Sequence, residues 1–171
     1  GQALCQRLSS RYFRPYYSYD IIGAQLGGAV KNVLAIACGI VEGKGMGDNA
    51  RAALITRGLA EIARLGLVLG ADERTLMGLS GLGDLTLTCN AMQSRNFSLG
   101  VALGQGRSLQ EILAERKSVT EGVYTAAAVT EVARREQVDM PICQAVDAVL
   151  NLGADLDAVI SGLLTRPLNI E

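Results

Sequence analysis

The chain of 171 residues contains no histidine. Any general acid or base must therefore be a lysine, a carboxylate, a tyrosine or a thiol. Its four cysteines, Cys5, Cys38, Cys89 and Cys143, stand apart, with no Cys-x-x-Cys pair. That argues against a zinc site, so no metal is expected, and isolated thiols fit a reduced, cytoplasmic setting. An excess of charge is also missing, with 16 basic side chains against 17 acidic ones. Neither a nucleic-acid footprint nor a polybasic membrane patch is available, so no nucleic acid is expected as a partner. Hydrophobic residues make up 49% of the chain, yet no unbroken stretch approaches the ~20 apolar residues of a membrane span. There is no initial methionine and no charged-then-apolar targeting pattern. The chain reads as a piece of a longer polypeptide, one domain or one and a fragment, long enough to bury a proper core.

What is present is a long apolar run, Gly23 to Gly39, with Lys31 and Asn32 in its middle. Projected at about 100° per residue, the face of Lys31 carries Ala24, Gly27, Gly28, Ala35 and Cys38, all small, while Ile22, Leu26, Val33, Ile36 and Ile40 fall mainly elsewhere. The face around the lysine is a trough, into which a second helix or a ligand could come close to the backbone. A lysine that buries its stem and sends its head to water would also account for the position.

Residues 1–19 differ from the rest. Five of the chain's five tyrosines and two phenylalanines, namely Tyr12, Phe13, Tyr16, Tyr17 and Tyr19, lie here. A short helix over 1–10 and a strand-like segment over 11–19, held to an edge or bend by Pro15, are expected. Asp20 can cap the long helix, which runs to about Val41 and gives way at the loop Glu42–Gly47. That loop lacks phosphate-loop spacing, since three residues separate Gly39 from Gly43 and Lys44 is followed by Gly45, so it reads as a flexible connector. Asp48 or Asn49 can cap a helix from Ala50 to Leu69, with Ala52, Ile55, Leu59, Ile62 and Gly66 inward and Glu61 with Arg64 as a solvated i,i+3 pair.

A short helix from Asp72 precedes the turn Ser80–Gly83. If 84–89 is helical, Asp84, placed to cap it, stands at i and Thr88 at i+4, a carboxylate and a hydroxyl on one face. Ser94, Arg95 and Asn96 open the next helix, where free N–H groups and a guanidinium favour an anion. Ser108 to Glu111 is a capping box, and Glu121 begins a helix to Arg135 with Val123, Ala126, Ala127 and Thr130 toward the core. Pro141 opens a helix ending near Gly153, and Asp155 caps a last one. Pattern alone gives an all-α domain with three polar clusters: Lys31/Asn32, Asp84/Thr88 and Ser94/Arg95/Asn96.

The strings from Gly23 to Ala37, Gly81 to Cys89 and Gln93 to Asn96, in that order and spacing, closely resemble the C-terminal half of bacterial NAD(P)-dependent glycerol-3-phosphate dehydrogenases. Phe13–Tyr16 resembles the last strand of that family's cofactor domain, and Ser118–Gly122 a late cofactor-contact segment. The resemblance implies an all-α, multi-helix substrate-binding and catalytic domain over 20–171, of the 6-phosphogluconate dehydrogenase C-terminal domain-like fold, after a remnant helix and strand of a Rossmann domain over 1–19. It implies interconversion of dihydroxyacetone phosphate and sn-glycerol 3-phosphate with NAD or NADP, feeding glycerophospholipid synthesis.

By residue, the resemblance implies that Lys31 is the catalytic proton donor and acceptor. Asn32, Asp84, Thr88, Ser94, Arg95 and Asn96 would bind substrate beside it, while Arg95, Val119 and Glu121 would touch the cofactor. Phe97–Gly100 follows the Ser-Arg-Asn motif where family members often carry further basic residues, and the glycine-rich dinucleotide fingerprint is absent, so the chain alone is expected to be inactive. A cytoplasmic homodimer is expected, as is pairing or swapping of the unpaired segment 11–19 between chains. Competing readings are a helical dimerisation or interaction module, and a related two-domain hydroxyacid dehydrogenase.

Overall fold

A computed structural model of the chain describes residues 1–115 and 120–167. Among these are ten α-helices, one π-helical turn and no strand. They are α1 (Gln2–Leu8), α2 (Ile21–Gly43), α3 (Asp48–Leu69), α4 (Glu73–Leu76), the π-turn (Leu79–Gly83), α5 (Asp84–Thr88), α6 (Arg95–Gly104), α7 (Leu109–Glu115), α8 (Glu121–Arg135), α9 (Pro141–Asn151) and α10 (Leu156–Leu164).

The long helix α2 is the axis, in contact with α3, α5, α6, α8 and α9. It is long and apolar enough to cross a membrane by length and composition, with a mean hydropathy of 1.5 in its most apolar window, but half of that window is buried inside the fold. Leu34 and Ile36 on α2, Ile62 and Leu65 on α3 and Leu99 on α6 have no exposed surface. Each such aliphatic side chain contributes about 1.5–3 kcal/mol by leaving water.

Helices α2 and α6 meet through glycine. A Cβ on Gly39 would collide with the Phe97 carbonyl and one on Gly43 with that of Val101. Conversely, a Cβ on Gly100 would strike the Ile36 carbonyl, and one on Gly104 would lie 2.5 Å from that of Ile40. Contacts advance together along both helices, so the two run parallel, backbone against backbone. Helix α2 runs two residues past the expected end at Val41, taking in Glu42 and Gly43, and the connector begins after it. Gly47, not Asp48 or Asn49, occupies the N-cap of α3, and Asp48 falls in its first turn, ion-paired with Arg51.

Glu61 departs furthest from the expected surface pair with Arg64. It is 1% exposed, and its carboxylate accepts the backbone N–H groups of Ile142 at 2.7 Å and Cys143 at 3.1 Å. The reason lies in α9, whose N-cap is Met140, a residue whose side chain makes no cap, and whose first residue is proline. Its orphaned donors must be satisfied from elsewhere, and Glu61 reaches across from α3. Arg64 turns to the Asp139 carbonyl at 2.9 and 3.2 Å. Burial pushes the Glu61 carboxyl up from its ordinary value, against the two N–H groups that pull it down.

Smaller corrections follow the same logic. Ala52 and Ala127 face solvent, and the inward stripe of α8 is Gly122, Val123, Ala126, Val129 and Ala133. The segment 11–19 is not a strand: no neighbour offers it a ladder, and Tyr12 and Tyr19 are 90% and 89% exposed. Helix α1, the capping box of Ser108 with Glu111, the short helix after Asp72 and the cap by Asp155 stand where the sequence placed them.

Asp20 caps α2 through Gly23 N–H at 2.7 Å and also accepts Asp72 N–H at 2.8 Å. These two bonds hold its carboxyl below the ordinary value of 3.8. A lowered folded pKa means the unfolded chain binds the proton more tightly, so this contribution is present above about pH 4 and is lost as pH falls through the folded value. The stability difference between wild type and Asp20→Asn should therefore shrink between pH 5 and pH 2, as measured by urea unfolding at each pH.

The glycine crossing gives a second test. Gly39→Ala should cost about 1–3 kcal/mol or more through overpacking. Gly28→Ala, where an added Cβ meets nothing within 4 Å, should instead be neutral or stabilise by up to about 1 kcal/mol through helix propensity. Paired denaturant titrations of the two variants check the contrast.

Candidate functional site

The site is laid out along α2. At Gly27 the helix rests on the π-turn, where a Cβ would lie 2.6 Å from the Ser80 carbonyl. The π-turn is closed by Gly83 N–H donating to the Gly78 carbonyl at 3.1 Å, and Gly81 presses so tightly on the Leu76 backbone that no side chain fits. This wider turn delivers Asp84 to α2 one helical turn beyond Gly27. Lys31 Nζ donates to Asp84 Oδ2 at 2.5 Å. Asp84 lies in the first turn of α5 but does not cap it, because the π-turn runs straight on into the helix and Gly83 holds the N-cap position, which leaves the carboxylate for the lysine.

Thr88 Oγ1 donates to the Asp84 carbonyl at 2.6 Å and lies 3.5 Å from Asp84 Oδ1, so the i,i+4 pair of α5 does share a face. The side chains of Lys31 and Asp84 are 22% and 35% exposed, half-buried yet open to a ligand. Deeper on the same interface Cys38 and Cys89 are fully buried and in contact, and the hydrogen bond with Cys38, together with burial, pushes the Cys89 thiol far up from its ordinary value. These thiols are inert packing.

A second group stands beside the first. Asn32 and Asn96 meet, with Asn96 Nδ2 donating to Asn32 Oδ1 at 3.0 Å. Ser94 caps α6 through Phe97 N–H at 3.3 Å. Arg95, at the first position of α6, lies 3.8 Å from Glu121 at the first position of α8. The structure thus joins Lys31, Asp84 and Thr88 in one group, Asn32 and Asn96 in a second, and Arg95 with Glu121 at the rim, while Ser94 serves as a cap. Val119 lies outside the described residues.

Of the small residues around Lys31, only some leave space. Gly27 is filled by the π-turn and Ala35 is fully buried, whereas Gly28 faces open space. One turn back, Ala24 borders a cleft of about 840 Å³ walled by Tyr16, Tyr17, Gln25, Leu79 and Ser80. Ala24, Gly28 and Lys31 share one face of α2. A separate apolar cavity of about 280 Å³, between α2, α3, α9 and α10, contains none of the site residues.

Residues 20–161 match the family model for the NAD-dependent glycerol-3-phosphate dehydrogenase C-terminus. The chain belongs to this family. Over all 171 residues it is 63% identical to an NAD(P)+ glycerol-3-phosphate dehydrogenase of Rhodospirillum rubrum, covering 49% of that protein. It is 58% identical over the same span to one of Parvibaculum lavamentivorans, covering 51% of it. The chain thus spans about half the length of the curated relatives it matches.

Among solved structures, the glycerol-3-phosphate dehydrogenase of Coxiella burnetii is 44% identical with a TM-score of 0.90, over 96% of this chain and 51% of that one. The yeast enzyme of Saccharomyces cerevisiae is 28% identical with a TM-score of 0.84, over 94% and 47%. The all-α architecture is that of the C-terminal helical domain of these enzymes.

Sequence reading missed two features of the site. Gly122, buried against Asn96, was not singled out, and the glycine pairs Gly39/Gly43 and Gly100/Gly104 were visible only as a small-x3-small spacing repeated in two helices.

Proposed function

We propose that residues 20–171 are the substrate-binding and catalytic domain of an enzyme that interconverts dihydroxyacetone phosphate and sn-glycerol 3-phosphate with NAD(P)(H). Residues 1–19 are read as the remnant of its cofactor domain. The single observation that carries the reading is the Lys31–Asp84 contact of 2.5 Å beside the open face of Gly28, in a chain of this family.

Lys31 serves as the proton donor to the carbonyl oxygen in reduction and as the acceptor in reverse. Asp84 holds the ammonium in place and balances its charge, and Thr88, bonded to the Asp84 carbonyl, steadies the backbone that carries it. As the carbonyl carbon is reduced, negative charge gathers on oxygen, and a fixed cation that can release a proton stabilises and quenches it in one step. Arg95, with the N-terminus of α6 and the Asn96 beside it, suits the phosphate, whose anchoring sets the reacting carbon against Lys31.

The residues present fit only the nicotinamide end of a dinucleotide. Arg95 and Glu121 stand half-exposed at the rim, whereas the sequence holds no glycine-rich fingerprint for a pyrophosphate. When bound, the nicotinamide supplies or accepts the hydride. By the same reading, Val119 and Glu121 contact it together with Arg95, and Ser94 and Asn32 complete the substrate lining. The enzyme would work as a cytoplasmic homodimer and furnish the glycerol phosphate of phospholipids.

In a chain completed with an N-terminal half of the kind the relatives carry, Lys31→Met should lower kcat by about 10²–10⁴ while circular dichroism and melting stay near wild type. Near-normal turnover would remove the catalytic role and favour a helical interaction module. The 171-residue chain alone should show no turnover of dihydroxyacetone phosphate with NADH or NADPH, and measurable activity would contradict the division of labour between two halves.

A further inference from the structure

Asn96 is 8% exposed, and both ends of its amide are occupied. Oδ1 accepts the backbone N–H of Gly122 at 3.0 Å, and Nδ2 donates to Asn32 Oδ1 at 3.0 Å. Gly122 is the second residue of α8, whose N-cap residue Thr120 makes no side-chain cap, so its N–H would be an orphan without Asn96. A backbone N–H can only donate. Asn96 must therefore turn its oxygen to Gly122 and its nitrogen to Asn32, and Asn32 must answer with its oxygen.

One fixed donor sets two amides, and Asn32 Nδ2 is turned to the Gly28 side, where one N–H donates a long hydrogen bond of 3.4 Å to the Gly28 carbonyl and the second remains for a ligand at the open helix face. The approach that allows this needs glycine. A Cβ at position 122 would lie 2.6 Å from Asn96 Oδ1, 2.7 Å from Ile36 Cδ1 and 3.0 Å from the Asn32 carbonyl.

We infer that Gly122 is a positioning residue: by holding the Asn96 amide it orients Asn32 as a hydrogen-bond donor toward the site and ties the first turn of α8 to that of α6. Successive residues make the clasp, Arg95 with Glu121 and Asn96 with Gly122. The ligand group that meets Asn32 is consequently an acceptor, a hydroxyl or phosphate oxygen. This rests on the proposed substrate reading for its kinetic consequence, but not for the amide orientation itself.

The test uses the completed two-half chain. Gly122→Ala should raise KM for dihydroxyacetone phosphate about tenfold and lower kcat less than about threefold, because an interaction lost on binding outweighs any change in the chemical step. The double variant Gly122→Ala/Ile36→Val removes the Cδ1 clash. It should recover only the part of the lost Tm that the Ile36 contact causes and leave KM high, since the new methyl still displaces Asn96 Oδ1. An unchanged KM in Gly122→Ala, or a KM restored together with Tm in the double variant, overturns the inference.

Exchange of the Asn96 side-chain amide protons, followed by NMR on the same completed chains, is the readout that needs no catalysis. Protection should be present in wild type and at least about tenfold weaker in Gly122→Ala. Equal protection in both overturns the inference whatever the kinetics. If wild type fails to turn over dihydroxyacetone phosphate, the functional reading falls, and the exchange result alone decides the role of Gly122.

Discussion

Everything in this fold depends on two parallel helices touching backbone to backbone. Gly39 and Gly43 on α2 face Gly100 and Gly104 on α6, and no Cβ can be added at any of the four without striking a carbonyl. Closeness of this kind fixes the helices in register as well as in distance, because each glycine accepts one particular residue of its neighbour. Asn32 and Asn96 then meet as a matter of geometry, one to two turns upstream on each helix. On another face of α2, Gly27 receives the π-turn that carries Asp84 to Lys31. Packing and chemistry share one helix, divided by which residues are filled by protein and which, like Gly28, are left open.

Helix starts supply the second layer of order. Helix α9 is capped by Glu61 of α3, and α8 by Asn96 of α6. Asp20 serves both the start of α2 and the N–H of Asp72 just before α4. Each of these polar side chains sits far in sequence from at least one of the donors it satisfies. A cap supplied across the fold couples two elements in a way a local serine cap cannot, since losing it leaves buried donors unpaired, at about 1–3 kcal/mol each. The buried Glu61 offsets part of its own desolvation cost in this way, by meeting two donors and the positive end of a helix.

Local signals were the legible part of the sequence. The spacing of apolar residues, Ser108 and Asp155 as caps, Pro141 at a helix start and Gly70 and Gly153 beyond helix ends all act within a few residues, and the helices stand accordingly. The pairing of Asp84 with Thr88 was readable for the same reason. What could not be read was the identity of distant partners. Glu61 beside Arg64 has every appearance of a surface pair until α9 is known to begin with an N-cap whose side chain makes no cap. Residues 11–19 have the composition of a strand, but a strand is a relation between two segments, and the second is not among the described residues. The convergence of Lys31 on Asp84 likewise needed either three dimensions or the family's own pattern.

The distance between the glycine crossing and Lys31 is what would make the packing bear on the proposed catalysis. Lys31 lies eight residues before Gly39, about 12 Å along the axis at ~1.5 Å per residue. A side chain wedged into the crossing would tilt α2 against α6, and a tilt of only about 5° over that length moves the lysine by about 1 Å, an error that can cost on the order of a hundredfold in rate. The proposed substrate anchor on α6 is subject to the same lever from the other side. The four glycines of the crossing would therefore set the separation between the proposed proton donor and the proposed phosphate anchor, and a rigid crossing is what lets two helices present one geometry.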